Sequence, residues 1–236
     1  MMKKLITFLF FVGIYNSIIV ASTELPNEAD VVLCQDQAEN YGNGKGDDII
    51  NQSCIESFKK MAAPEAKSES KSMKMKFFGY RNTVLIEKYK NNILFTEIIA
   101  GNSSELKAIR ALTFDEKNQE VVVLDDSGDI LFFSSKITGN IAPFRILKHK
   151  DLVGACELVV DSTRDQVVVN NKSTKRILFF SRLANFHARE GKQKLVILKS
   201  IDTSLIDLKN LSIDLEKSEL HGVDSSKNSA IVFNLK

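Results

Sequence analysis

The sequence predicts an all-β chain of four-stranded, propeller-type blades. Three observations predict it: one order of strands and turns recurs, the middle strands are apolar without alternation, and Asp-, Asn- and Gly-containing turns punctuate the runs. Leu112-Thr113-Phe114-Asp115 opens one unit, Val121-Val122-Val123-Leu124 continues it, and Asp125-Asp126-Ser127-Gly128-Asp129 turns it into Ile130-Leu131-Phe132-Phe133-Ser134. The same order returns as Val159-Val160-Asp161, Val167-Val168-Val169, a turn over Asn170 to Arg176, and Ile177-Leu178-Phe179-Phe180-Ser181. Asp115 and Asp161 stand 46 residues apart, Phe133 and Phe180 stand 47 apart, and Asp161 and Asp214 stand 53 apart. A repeat of about 40–50 residues holding four short strands is the signature of propeller blades. Strands covered on both faces lose the in–out alternation of a half-exposed sheet, which explains the unbroken valines.

The elements follow in order. Met1-Met2-Lys3-Lys4, the apolar run Leu5 to Tyr15 and the small residues around Val20-Ala21-Ser22 form a secretory signal peptide, residues 1–22, with the mature start near Thr23. The rival reading is an uncleaved membrane anchor, but a spanning helix needs roughly 20 apolar residues, and Asn16 and Ser17 interrupt this run. Residues 23–72 form an N-terminal extension and linker. They contain the polar loop Asn40 to Asp48, a short helix over Cys54 to Ala62 capped by Ser53 and stopped by Pro64, and the small, charged stretch Glu65 to Ser72. In an oxidising compartment Cys34 and Cys54 are expected to pair, closing a loop of about 20 residues, whereas Cys156 reads as a small buried hydrophobe.

The propeller-like domain is expected over residues 73–236, with 14 strands distributed three, four, four and three. The first unit holds Met75–Phe78, Val84–Ile86 and Phe95–Ile99. Phe144–Leu147 and Leu195–Leu198 supply fourth strands. Leu211–Asp214 and Ala230–Phe233 belong to the last unit. The first unit then lacks an inner strand and the last an outer one. Either Asp30-Val31-Val32-Leu33 adds a strand or a second chain completes the ring as a homo-oligomer; an unpaired edge would otherwise invite association.

The blades resemble the NHL class of propeller repeat and its secreted bacterial relatives. Leu158-Val159-Val160-Asp161 through Phe180-Ser181-Arg182 carries the resemblance, and Asn140 to Ile146 is similar to the outer-strand segment of those relatives. Glu116-Lys117-Asn118 and Ser162-Thr163-Arg164 lack the glycine often found in the family's first turn. The resemblance implies a disc with a channel and loop faces that bind partners; it implies no particular reaction.

Composition narrows the function classes. Lys and Arg total 32 against 30 for Asp and Glu, and loss of residues 1–22 removes two lysines, so the mature chain is close to neutral. A nucleic-acid partner, which needs a clustered basic excess, is not expected, nor is membrane insertion after signal cleavage. His149, His187 and His221 occupy non-equivalent repeat positions, and no nucleophile elbow, zinc-protease motif or phosphate loop is present. No catalytic, cofactor-binding or metal-ligating residue is therefore assigned, and no cofactor is expected.

Asp125 to Asp129 has two readings: hard oxygens for Ca²⁺, or a turn built for backbone reasons. Asp115, Asp161 and Asp214 are expected to accept backbone N–H groups in the turns that follow them. The partner-binding candidates are the polar turns: Asp125, Asp126, Asp129, Asn170, Asn171, Lys172, Asp224 and Lys227. The expected function is an exported, periplasmic or extracellular, non-catalytic binding or scaffold propeller that recognises a protein or peptide through its loop faces. The alternative is a secreted hydrolase or lyase of the lactonase type with a metal in the channel.

Overall fold

A computed structural model describes residues 64–184 and 196–236. The signal peptide, the Cys34–Cys54 pair, the helix over Cys54 to Ala62, Asp30 to Leu33 and His187 lie outside the described residues.

Fifteen strands form four antiparallel sheets in sequence order. The first blade holds β1 (Ala66–Ser70), β2 (Met75–Tyr80), β3 (Thr83–Lys90) and β4 (Ile93–Ile99). The second holds β5 (Ile109–Asp115), β6 (Glu120–Asp125), β7 (Ile130–Ser134) and β8 (Arg145–Leu147). The third holds β9 (Ala155–Asp161), β10 (Gln166–Asn171), β11 (Arg176–Ser181) and β12 (Ile197–Asp202). The last has three strands: β13 (Leu208–Asp214), β14 (Glu219–Asp224) and β15 (Ser229–Asn234). The propeller arrangement is as expected, with one correction. Within the expected linker Glu65 to Ser72, Ala66–Ser70 form β1, which supplies the inner strand of the first blade, so the blades begin at Ala66 rather than at residue 73.

Each pair of neighbouring blades encloses its own core. Phe77, Val84, Ile86 and Ile99 of the first blade meet Val121, Val123, Leu131 and Phe133 of the second. From the opposite face of the second blade, Val122, Leu124, Ile130 and Phe132 meet Val167, Val169, Leu178 and Phe180 of the third. Val168, Ile177 and Phe179 then meet Leu208 and Leu220 of the last. Alternate residues of β6 thus point into different cores, and every one of Val121 to Leu124 is fully buried. Full burial of a Val or Leu side chain is worth about 1.5–3 kcal/mol, so these seams dominate the packing.

The turns recur with the blades. Asp115 Oδ1 accepts from Asn118 N at 3.2 Å, Asp161 Oδ1 from Thr163 N and Arg164 N at 3.0 Å each, and Asp214 Oδ1 from Glu216 N at 3.1 Å and Lys217 N at 3.0 Å. Ser70 does the same work in the first blade, its Oγ accepting from Met73 N at 3.2 Å. Strand polarity sorts the connections. Turns between second and third strands share one end with the blade-to-blade loops; turns between first and second and between third and fourth strands share the other.

Candidate binding groove

The first strands of the blades stand side by side in the order β1, β5, β9, β13. Among the described residues, β1 and β13 form no comparable seam. The four strands line an open groove of about 730 Å³, within the range of ligand-binding clefts, roughly 300–1,000 Å³.

Its floor is apolar: Leu112, Phe114, Leu158, Val159 and Val160 are nearly buried and still reach it. Phe114 is held by Phe77 of the first blade, the rings stacked with centroids 4.5 Å apart. Hydroxyls of Ser68, Thr113, Ser162 and Ser212 interrupt the floor, and Lys67, Glu116 and Lys117 stand exposed at its margin.

The groove walls are tied across blades by polar contacts. Phe114 N donates to Ser68 Oγ at 3.0 Å, Lys117 Nζ to Ser162 O at 2.8 Å, and Asn210 N to Glu157 Oε1 at 2.6 Å. Behind the floor, Glu120 Oε2 accepts from Arg145 at 2.8 Å and from Arg182 at 2.6 Å. Arg182 also reaches Asp165 at 2.7 Å. Burial holds the Arg145 guanidinium below its ordinary pKa, while the bond from Arg182 holds the Asp165 carboxyl below its own. These charges are spent on one another and on joining blades, which leaves the groove itself mainly apolar and hydroxylic.

The polar turns proposed for partner binding lie at one end of the blades and do not line this groove. Asp125, Asn170, Asn171 and Asp224 are buried, whereas Asp126, Lys172 and Lys227 are exposed and Asp129 is half-buried against Lys148. The buried four are engaged within the protein, three of them in their own turns: Asp125 Oδ1 accepts from Ser127 N at 2.9 Å and Asp129 N at 3.0 Å, Asn171 Oδ1 from Thr174 N at 3.1 Å, and Asp224 Oδ1 from Ser226 N at 3.0 Å. Asn170 Nδ2 donates across the blade seam to Leu208 O at 3.0 Å. Asn170 and Lys172 also border a smaller cleft of about 330 Å³ with Thr203 to Leu208.

Cys156 is half-buried rather than fully buried, its Sγ 3.4 Å from Asn170 O, and burial pushes its thiol pKa up. His149 Nδ1 accepts from Asp151 N at 3.1 Å in a blade-to-blade loop. His221 sits 3.0 Å from Glu219, and with Asp214 they place three donor atoms within 4.8 Å of one another, outside the groove lining. The groove residues are not among the sequence-predicted candidates, because they come from four strands far apart in the chain. The signal was present in the first strands, where Leu-Thr-Phe, Leu-Val-Val and Leu-Ser-Ile precede the repeated aspartates.

No protein-family profile and no curated protein sequence matches the chain. Its fold is similar to that of a chain in the crystal structure of the mitotic checkpoint complex, with a TM-score of 0.50 and 9% identity over 72% of this chain and 49% of that one. It is also similar to a putative 6-phosphogluconolactonase from Bacteroides uniformis, with a TM-score of 0.51 and 15% identity over 72% of this chain and 49% of that one. The chain spans about half the length of these structures. Likeness at such identity defines a β-propeller fold and nothing finer.

Proposed function

We propose that this is an exported, non-catalytic binding or scaffold propeller of NHL type, and that it takes an extended peptide segment of a protein partner in the groove along β1, β5, β9 and β13. The carrying observation is the groove's composition: an apolar floor broken by hydroxyls at Ser68, Thr113, Ser162 and Ser212. Such a surface suits a chain whose alternate side chains pack on the floor while its backbone amides meet hydroxyls. The exposed polar turns at the end of the blades remain available to the rest of the partner. Export rests on the Leu5 to Tyr15 run and the small residues beyond it, and N-terminal sequencing of secreted protein should begin near Thr23.

The test is selection of displayed peptides on the purified chain. Peptides are expected to enrich, and Thr113→Arg together with Ser212→Arg should weaken their binding at least tenfold, since two long charged side chains would occupy the floor. Absence of enrichment, or binding indifferent to both substitutions, would reject the reading. The hydrolase or lyase alternative needs a metal in the channel, and elemental analysis of the purified chain separates the two.

A further inference from the structure

Large apolar side chains are not exposed evenly over the blades. Tyr89, Ile93 and Phe95 on the β3–β4 hairpin are 44%, 59% and 45% exposed. Ile137 and Phe144 stand exposed on the β7–β8 connection, and Leu183 and Leu198 flank the connection that follows β11. All three are third-to-fourth-strand connections, so the repeat carries them to the outer rim of one end of the molecule. Residues 89–95 are exposed without a break, although β3 and β4 stay paired as far as Lys90 and Ile93. The tip is therefore a built projection.

Lysines surround it. Lys90 lies in the tip, and Lys71, Lys74 and Lys76 are exposed beside it on the β1–β2 turn and β2. Tyr89 N donates to Lys74 O at 3.2 Å, joining turn to hairpin, and Tyr89 shares a cleft of about 300 Å³ with the three lysines and one acid, Glu69, so that bases outnumber acids there.

We propose that this end of the molecule docks on an anionic lipid surface, with the β3–β4 tip seated at the boundary between headgroups and acyl chains. Apolar tips with an aromatic ring and a basic surround are the chemistry of interfacial attachment. The apolar groups project separately, blade by blade. A bilayer accepts several shallow insertions at once, whereas a protein partner favours one continuous apolar patch. Among the described residues no helix is long and apolar enough to cross a membrane, and the contact proposed is peripheral. It is independent of peptide binding in the groove.

The sequence contains no tryptophan, so Phe95→Trp gives a single local reporter, and Leu205→Trp, at the opposite end and 88% exposed in the parent, gives its control. Each full-length variant is mixed with phosphatidylcholine vesicles and with vesicles of phosphatidylcholine and phosphatidylserine. Because the reporter is local, attachment through Leu5 to Tyr15 does not imitate insertion of the hairpin. Emission of Phe95→Trp is expected to move to shorter wavelength with the serine-containing vesicles, and that of Leu205→Trp to stay put. Adding Lys71→Gln or Lys74→Gln should weaken the partitioning about fivefold for each lysine. The proposal is overturned if Phe95→Trp does not respond or if both reporters respond alike. It is equally overturned by a shift that follows protein concentration without vesicles, which would show contact between copies, or by polyglutamate acting as well as the vesicles, which would show an acidic protein partner.

Discussion

Asp125 and Asn171 end the second strands of successive blades, 46 residues apart, and they differ by one atom type. Asn171 Nδ2 donates to Asp151 O at 2.6 Å and Val153 O at 2.9 Å while its Oδ1 accepts from Thr174 N at 3.1 Å. Asp125 uses Oδ1 in the same way, but its Oδ2 is buried without a partner. Burial raises its pKa above the ordinary carboxylate range; hydrogen bonds from Ser127 and Asp129 and the charge of Lys107 oppose this, and the Asp129 charge adds to it. The folded chain therefore holds the Asp125 proton more tightly than the unfolded chain does. The resulting stabilisation is fully present below the unfolded pKa and is lost as pH rises through the raised folded value. Asp125→Asn should accordingly stabilise the protein by about 1 kcal/mol at neutral pH. The gain should shrink as pH falls toward the ordinary carboxylate range, as read from urea midpoints over a pH series.

Between elements, charge joins blades unequally. Glu120 on β6 is buried between Arg145, which leads β8, and Arg182, which follows β11. Glu120→Gln leaves two buried guanidinium groups short of an anion and is expected to cost about 3 kcal/mol in denaturant unfolding. Lys88→Gln, which breaks the more exposed Lys88–Glu97 pair, should cost less than about 1 kcal/mol.

The same scale shows what could be read in advance. β6, β7, β10 and β11 are legible because both faces of each are buried, which places Val, Ile, Leu and Phe without alternation through their apolar stretches. β1 is not. Ala-Lys-Ser-Glu-Ser is an inner strand in which Ala66 alone joins an apolar core, Ser68 caps a neighbour's amide and Ser70 stands where the other blades carry Asp. Small hydroxylic residues suffice there, and they read as linker. The groove was hidden for a related reason. Its residues come from four strands spread along the chain, and only the blade packing sets them side by side.

For the whole molecule, the decisive contrast is between β14 and the middle strands of the second and third blades. In β14, Leu220, Gly222 and Asp224 are buried while Glu219, His221 and Val223 are half-exposed. Its outward side is thus largely polar, unlike β6, whose two sides feed two cores. Among the described residues that side offers a second copy little apolar surface beyond Val223 and Val232. The expected molar mass in solution is that of one chain. Val232→Glu, on the same outward side, should change neither the mass nor the stability beyond about 0.5 kcal/mol. A mass of two chains that falls to one in Val232→Glu would show a second copy seated on that face.

Among the described residues, three cores are each shared by adjacent blades, and they also bear on how the fold comes apart. With no seam recorded between β1 and β13 among the described residues, losing the last blade removes one core and leaves the other two intact. Loss of a middle blade removes two. A middle blade is thus held on both faces by described seams, and the amides of β6 and β10 are expected to be among the last to meet solvent.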